Sequence, residues 1–238
     1  MKQGFTLAEV LITLGIIGVV AAMTIPTLMA NIKGSQYRAK FKKGISNLSQ
    51  TGLIAQEQLG FSYGDSGITS SSWIPSSSDQ NIGSIMLNTQ KGVTYIGYYN
   101  GSTSRPESYK KYTTKIKTIA FSPEDSQHSF ILPDGMIVGL PQYSSNCTVA
   151  VGESLNKLTT DQWGTAQCVG YIDVNGINLP NEETVCSDKT ISASEQRKTD
   201  KPCVVKPSDI KDIFPIVFHD STVEPASAAA KYVLNTAK

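Results

Sequence analysis

Histidine and closely paired cysteines are scarce in this 238-residue chain. It has two histidines, and none of its four cysteines forms the Cys-x-x-Cys pair that commonly binds zinc. The motifs of phosphate-binding loops and of zinc metalloproteases are also missing from it. We therefore expect the protein not to be an enzyme, and we expect no cofactor apart from the calcium considered below.

An excess of charge of one sign is absent as well. The chain has 21 lysines and arginines against 20 aspartates and glutamates, a formal net charge of +1 at pH 7. Proteins that bind nucleic acids normally carry a clear basic excess, because phosphates attract cations. The sequence therefore predicts no nucleic-acid partner.

A long stretch without any charge lies near the N-terminus, at residues 10–30. At about 1.5 Å per residue it forms a helix of roughly 31 Å, which matches the hydrocarbon core of a bilayer. Pro26 lies inside this stretch and is expected to kink or locally open the helix, which a membrane tolerates. Glu9 directly precedes the stretch, and a carboxylate at membrane depth is costly enough to indicate a function.

Gly4, Phe5 and Glu9 together resemble the type IV prepilin signal, which type IV pilins share with the pseudopilins of secretion and competence systems. The resemblance implies that a prepilin peptidase cuts between Gly4 and Phe5 and N-methylates the Phe5 amine. It also implies that Glu9 pairs with the Phe5 amine of a neighbouring subunit in a filament. Such a pair compensates two buried charges and fixes the axial register of the subunits.

Two other interpretations of the N-terminus are a secretory signal peptide and a plain membrane anchor. A signal peptide has a shorter apolar run and a small-x-small cleavage site, which residues 27–32 do not offer cleanly. A plain anchor would leave Glu9 without a role.

The residues after the apolar stretch predict that the helix continues as an amphipathic segment. Apolar or small residues recur there at spacings of three and four, which places them on one helix face. They are Tyr37, Phe41, Ile45, Leu48, Gly52 and Ala55. Much of the remaining surface is basic, with Lys33, Arg38, Lys40, Lys42 and Lys43. We interpret these cations as a solvated face, with anionic lipid headgroups or acidic residues of neighbouring subunits as alternative contacts.

These patterns, together with the resemblance to pilins, predict an α+β, pilin-like fold in which a long helix, first transmembrane and then amphipathic, packs on a mostly antiparallel β-sheet. The expected divisions are a leader, a transmembrane helix that forms the filament core, an amphipathic helix and a β-rich extracytoplasmic head. Their bounds are 1–4, 5–32, 33–58 and 59–238.

Alternating residues predict strands in the head at 93–99, 112–121, 129–132, 136–140, 169–172 and 213–218. Asp134-Gly135 predicts a hairpin with a type I′ turn. Pro215 predicts an edge strand or a bulge, because proline cannot donate to the ladder. Residues 225–234 predict a short closing helix.

The even number of cysteines predicts disulfides in an oxidising compartment outside the cytoplasm. Of the three possible connectivities we favour Cys147–Cys168 and Cys186–Cys203. Each of these closes a local loop, which contributes roughly 3 kcal/mol in the chain-entropy model. Free thiols are the alternative, in a host that keeps its exterior reducing.

The C-terminal third resembles a pattern of pseudopilin heads, in which Asp-Val-Asn-Gly is followed by Pro-Asn and then by Asp-x-Phe-Pro. These elements occur at residues 173–176, 180–181 and 212–215. Residues 182–211 intervene where only a few residues are usual, and they carry Cys186 and Cys203. We interpret this insert as a surface excursion closed by its own disulfide.

Asp173 and Asn175 offer oxygen ligands for calcium from a tight loop, with Asp209 or Asp212 as a more distant ligand. Some pseudopilin heads hold calcium, so the resemblance raises the same expectation here. The spacing of an EF-hand is absent, and Asn or Asp before Gly is an ordinary turn signal. A turn is our main interpretation, and calcium is the alternative.

As the resemblance implies, the chain is a structural subunit that a prepilin peptidase processes and that assembles into a type II secretion pseudopilus or a type IV pilus. The implied partners are sister pilins, the peptidase, an inner-membrane platform protein and an assembly ATPase. The implied location is the bacterial cytoplasmic (inner) membrane, crossed once, with the head in the periplasm or outside the cell. The alternatives are a membrane-anchored exported binding protein that never polymerises and a minor tip pilin with an adhesive role.

Overall fold

The computed structural model describes residues 6–66, 80–98, 127–141, 147, 169–196 and 199–236. Those residues form a long N-terminal helix and a six-stranded sheet in which all neighbouring strands are antiparallel. The predicted α+β architecture is therefore confirmed. The elements in chain order are α1 (Leu7–Leu59), α2 (Ile82–Thr89), β1 (Thr94–Tyr98), β2 (Gln127–Ile131), β3 (Ile137–Pro141), β4 (Val169–Asp173), α3 (Ala193–Gln196), a 3-10 turn (Pro207–Asp209), β5 (Ile213–His219), β6 (Thr222–Pro225) and α4 (Ala228–Asn235).

Helix α1 is 53 residues long, roughly 80 Å, and it continues through Pro26 without a break. A capping box starts it, because the Thr6 side chain accepts the Glu9 N–H and the Glu9 carboxylate accepts the Thr6 N–H. Gly60 ends it with a φ of 77°, the left-handed conformation that suits glycine. One helix thus joins the predicted transmembrane and amphipathic segments.

The C-terminal half of α1 packs on the sheet through the face that the sequence predicts. Ile45 is half-buried, and the other predicted members of this face are buried. The buried residues of α1 are Gly34, Tyr37, Phe41, Gly44, Leu48, Thr51, Gly52 and Ala55. The predicted end of the amphipathic face near residue 58 also agrees with the helix end at Leu59.

Aromatic contacts join α1 to strand β5. The rings of Phe41 and Phe214 stack with centroids 4.1 Å apart and planes 13° from parallel. Tyr63 lies just past the helix, where its hydroxyl donates to the Leu48 carbonyl oxygen at 2.8 Å and its ring meets the edge of Phe218. Complete burial raises the pKa of the Tyr63 hydroxyl. These contacts make α1 a wall of the hydrophobic core.

The sheet follows the chain order from β1 to β6, so each strand pairs with its sequence neighbours. The predicted strands at 93–99, 129–132, 136–140, 169–172 and 213–218 correspond to β1 through β5. The predicted strand at 112–121 lies outside the described residues. At the β6 edge, the Val223 N–H donates to the Ser49 hydroxyl of α1 at 3.2 Å, so the helix covers part of this edge.

The β2–β3 hairpin forms as predicted, but the type I′ turn is wrong. That turn needs positive φ at both central residues, and only Gly135, at 83°, has it; Asp134 does not. The loop closes instead through the Leu132 N–H, which donates to the Met136 carbonyl at 2.8 Å. It is the three-residue loop in which glycine takes the left-handed position.

Pro215 does not mark an edge strand, so that prediction is also wrong. Strand β5 pairs with β4 on one side and with β6 on the other. Pairing with β6 begins only at Ile216, and the Pro215 carbonyl accepts the Ala226 N–H at 3.0 Å. Pro215 lies one residue beyond the last pair of the β5–β6 ladder. The N–H that proline lacks is therefore not needed for a ladder hydrogen bond.

Candidate functional site: the N-terminal helix and the base of the head

Glu9 caps its own helix within the single chain. One of its oxygens, Oε2, accepts the Thr6 backbone N–H at 2.9 Å and the Thr6 hydroxyl at 2.8 Å. Its second oxygen, Oε1, accepts no hydrogen bond from the part of the chain that the structure describes. Gly4 and Phe5 lie outside that part. Glu9 therefore keeps one carboxylate oxygen for a further donor, such as an amine.

The rest of the chain does not bury the apolar surface of the first half of α1. None of residues 10–30, which we call the apolar window, is buried, and the helix is long and apolar enough to cross a membrane. Large exposed side chains such as Ile12 and Ile17 cover it. An exposed apolar surface of this extent is expected to be buried in a bilayer or against neighbouring helices.

Polar side chains within this window find partners on the helix itself. The Thr13 hydroxyl donates to the Glu9 and Val10 carbonyls at 2.9 Å, and the Thr24 hydroxyl donates to the Val20 carbonyl at the same distance. A donor without a partner is costly in hydrocarbon, so internal bonds of this kind make the threonines compatible with a membrane.

Four of the five predicted cations of the basic face are exposed, and Arg38 is half-buried. Lys42 Nζ donates to the Thr236 carbonyl at 3.2 Å, and Lys43 Nζ lies 3.0 Å from the Asp134 carboxylate. Lys33 and Lys40 are exposed, as our interpretation of the cluster expected. Two of the five cations thus fasten α1 to the head.

A family model that describes the prokaryotic N-terminal methylation motif matches residues 1–25. This motif is the signal of type IV pilins and pseudopilins, so the resemblance noted in the sequence is confirmed. It supports a type IV pilin-like or pseudopilin precursor that is anchored by its N-terminal helix. The chain matches no curated protein and no solved structure.

The candidate calcium residues lie at the end of the sheet nearest the apolar window, where they anchor the backbone. The two oxygens of Asp212 accept the Asn181 and Glu182 N–H groups, each at 2.9 Å. Burial raises the pKa of Asp212, although these backbone donors favour its charged form. The carboxylate thus fixes the start of the insert.

Asp173 and Asn175 build the neighbouring turn. Asp173 Oδ1 accepts the Asn175 N–H at 2.9 Å, and Asn175 Nδ2 donates to the carbonyls of Asn178 and Leu179. Calcium takes six to eight oxygen ligands. In the described ranges no group of three or more His, Cys, Asp or Glu side chains converges as a metal site. These polar atoms hold the turn, as our main interpretation expects, and calcium binding stays a prediction.

The insert carries its own cross-link. Cys186 and Cys203 form a disulfide that spans 17 residues, with their Cα atoms 5.5 Å apart. Cys147 is also in a disulfide, and its predicted partner Cys168 lies outside the described residues. No described cysteine is a free thiol.

The role of Thr6 was missed in the sequence. Thr6 and Glu9 have the Thr-x-x-Glu spacing of a capping box, directly before an apolar run. That spacing was sufficient to predict where the helix begins and how Glu9 is held.

Proposed function

We propose that the protein is a structural, non-catalytic subunit that is cleaved after Gly4, methylated on Phe5 and assembled through α1 into a filament. The observation that supports it most is the methylation motif on a helix whose apolar window is wholly unburied. Stacked helices would bury this surface, and the free oxygen of Glu9 would accept the Phe5 amine of a neighbour.

The compartment we propose for the head is the periplasm or the exterior. Disulfides at Cys147 and between Cys186 and Cys203 suit an oxidising compartment and are rare in the cytosol. The proposed partners are sister subunits, a prepilin peptidase, an inner-membrane platform protein and an assembly ATPase.

Between the two machines, we favour a type II secretion pseudopilus over a type IV pilus. The elements at 173–176, 180–181 and 212–215 follow the pattern of pseudopilin heads. Deleting the chain in its host is expected to abolish secretion of exported enzymes. Normal secretion together with lost surface filaments would favour the pilus, and a low copy number in purified filaments would favour a minor tip subunit.

Substitution of Glu9 tests assembly itself. Glu9→Ala is expected to leave export and disulfide formation intact and to reduce assembled subunits strongly in sheared or cross-linked fractions. Glu57→Ala is the matched control, because Glu57 is an exposed glutamate of the same helix at its far end. Normal assembly of the Glu9→Ala variant would overturn the pairing of Glu9 with the Phe5 amine, and a lack of assembled subunits in the wild type would favour an anchored binding protein that never polymerises.

A further inference from the structure

Strand β5 runs along α1 and away from the apolar window. Near its start, Phe214 stacks on Phe41. Just past its end, Ser221 lies against Gly52, where a Cβ would come within 2.5 Å of the Ser221 carbonyl oxygen. Because position 41 is closer to the window than position 52, the beginning of β5 marks the end of the head that faces the window.

The connection between β4 and β5 therefore lies at this same end. Asp173 of β4 pairs with Ile213 of β5, so residues 174–212, which we name the basal loop, join the two strands there. The loop reaches α1 at Gly34, where a Cβ would overlap the Pro207 carbonyl oxygen and come within 3.4 Å of Ile210 Cβ. Gly34 is thus a contact between the basal loop and α1 that lies close to the window.

The distance from this contact to the membrane follows from the helix. The apolar stretch ends at Ala30, and Gly34 is four residues further, which is about 6 Å along the axis. The headgroup layer on each side of the hydrocarbon core is roughly 5–7 Å thick. With residues 10–30 in the core, the part of the basal loop that touches Gly34 lies at the level of the lipid headgroups.

The basal loop also carries the exposed apolar side chains of the head. Outside α1, the described residues include three large apolar side chains that are exposed: Ile177 at 48%, Leu179 at 64% and Val204 at 60%. All three belong to this loop. Val205 is buried, whereas its neighbours Val204 and Lys206 are both exposed. The side chains of these two neighbours therefore lie on the solvent side of this segment.

Hydrogen bonds hold the described part of the loop around Val204, which makes it suited to present this exposed side chain. The Ser187 N–H donates to the Val204 carbonyl at 2.9 Å, and the Ser187 hydroxyl accepts the Lys206 N–H and donates to Asp209. The Cys186–Cys203 disulfide closes the same segment.

We infer that the basal loop docks on the surface of the bilayer that α1 spans. Ile177, Leu179 and Val204 enter the interfacial layer, and Lys206 contacts anionic headgroups. The occupant is a lipid surface, because the helix fixes the loop at headgroup depth. Docking orients the head on the membrane before assembly. The inference rests on the membrane placement of α1 that the proposed function also uses.

Photo-cross-linking of the full chain in nanodiscs of phosphatidylglycerol and phosphatidylcholine tests this docking. Benzoylphenylalanine replaces Val204 in one variant and Leu53 in a matched control, whose side chain is 56% exposed but about 35 Å beyond Ala30. A third variant carries it at Val20, inside the apolar stretch. Intact mass is expected to show phospholipid adducts at positions 20 and 204 and none at position 53.

The other outcomes separate the two claims. Lipid adducts at position 20 without any at position 204 would overturn the docking and leave the anchored helix intact. Their absence at both positions would overturn the membrane placement, and with it the proposed function. Cross-links between two copies of the chain at position 204 would overturn lipid docking in favour of a subunit interface.

Discussion

Glycines set how closely α1 approaches the head, and alanine substitutions at them test this packing. At Gly34 an added Cβ overlaps the carbonyl oxygen of Pro207. At Gly52 it lies 2.5 Å from the carbonyl oxygen of Ser221. Both obstacles are backbone atoms, which cannot rotate away as a side chain does. The helix must therefore shift away from the head at either position.

Two further glycines of α1 provide graded controls. At Gly44 the added Cβ meets the terminal methyl group of Ile172, the end of a flexible side chain, and at Gly18 it meets nothing within 4 Å. Alanine gains about 1 kcal/mol over glycine in a helix, while overpacking costs about 1–3 kcal/mol and more against fixed atoms. We expect the free energy of unfolding to fall by about 2 kcal/mol or more for Gly34→Ala and Gly52→Ala. Gly44→Ala is expected near zero, and Gly18→Ala is expected not to destabilise.

Urea unfolding of the full chain in detergent micelles, followed by near-ultraviolet circular dichroism, measures these differences. The signal reports the packing of Tyr63 and its neighbours rather than the detergent-bound part of the helix. The reasoning is refuted if Gly52→Ala and Gly18→Ala have the same effect, because the close approach of helix and head would then not limit stability.

Three further perturbations act on other parts of the head and use the same unfolding assay. Phe41→Ala removes a fully buried ring stacked on Phe214 and is expected to cost about 3–5 kcal/mol. Replacing Cys186 and Cys203 together by serine is expected to cost about 3 kcal/mol, because the unfolded chain regains the freedom of the loop. Burial raises the pKa of Asp212, so the folded chain holds this proton more tightly than the unfolded chain. The contribution of the protonated Asp212 carboxyl to the free energy of unfolding therefore falls as the pH rises from about 4 through the raised pKa. Asp212→Asn removes this titration, so wild type is expected to exceed the variant by more at pH 4 than at pH 7.

Each of these expectations has a contrary result. A loss below 1 kcal/mol for Phe41→Ala would place the ring stack outside the stabilising core. An unchanged unfolding midpoint in the double serine variant would mean that the insert folds independently of its cross-link. A gap between wild type and Asp212→Asn that widens toward pH 7 would reverse the sign assigned to this carboxyl.

The long helix was predictable because its signals are local and repeated. The uncharged run, the spacing of three and four around Phe41 and Leu48, and the terminal Leu59-Gly60 all agree with the helix in the structure. A hydrophobic pattern that continues over many turns still predicts a helix when a single residue, such as Pro26, disfavours it. The methylation signal was equally readable, because it depends on a few residues at fixed spacing.

Features that depend on tertiary context were not predictable in the same way. The turn at Asp134-Gly135 was assigned by residue type, whereas the loop length between the paired strands selects the turn. The position of Pro215 in an inner strand depends on where β6 stops pairing, which no local pattern encodes.

Helix α2 was missed although its start had a signal. Asn81 accepts the Ser84 N–H at 2.8 Å, and Ile82, Ile85 and Met86 form a buried face of the helix. The preceding residues are rich in serine and glycine, and a helix of only eight residues has little periodicity to outweigh them. The backbone bonds that Asp173 and Asp212 accept depend on which backbone groups the fold brings to them.

The N-terminal residue and the intact mass of the protein from membranes of its host test the central claim most directly. If the protein is a processed structural subunit, the chain begins at N-methylated Phe5 and is about four mass units lighter than the methylated chain of residues 5–238 with free thiols, because two disulfides remove four hydrogens. A chain that still begins at Met1, in cells with an active prepilin peptidase, would contradict processing as a prepilin.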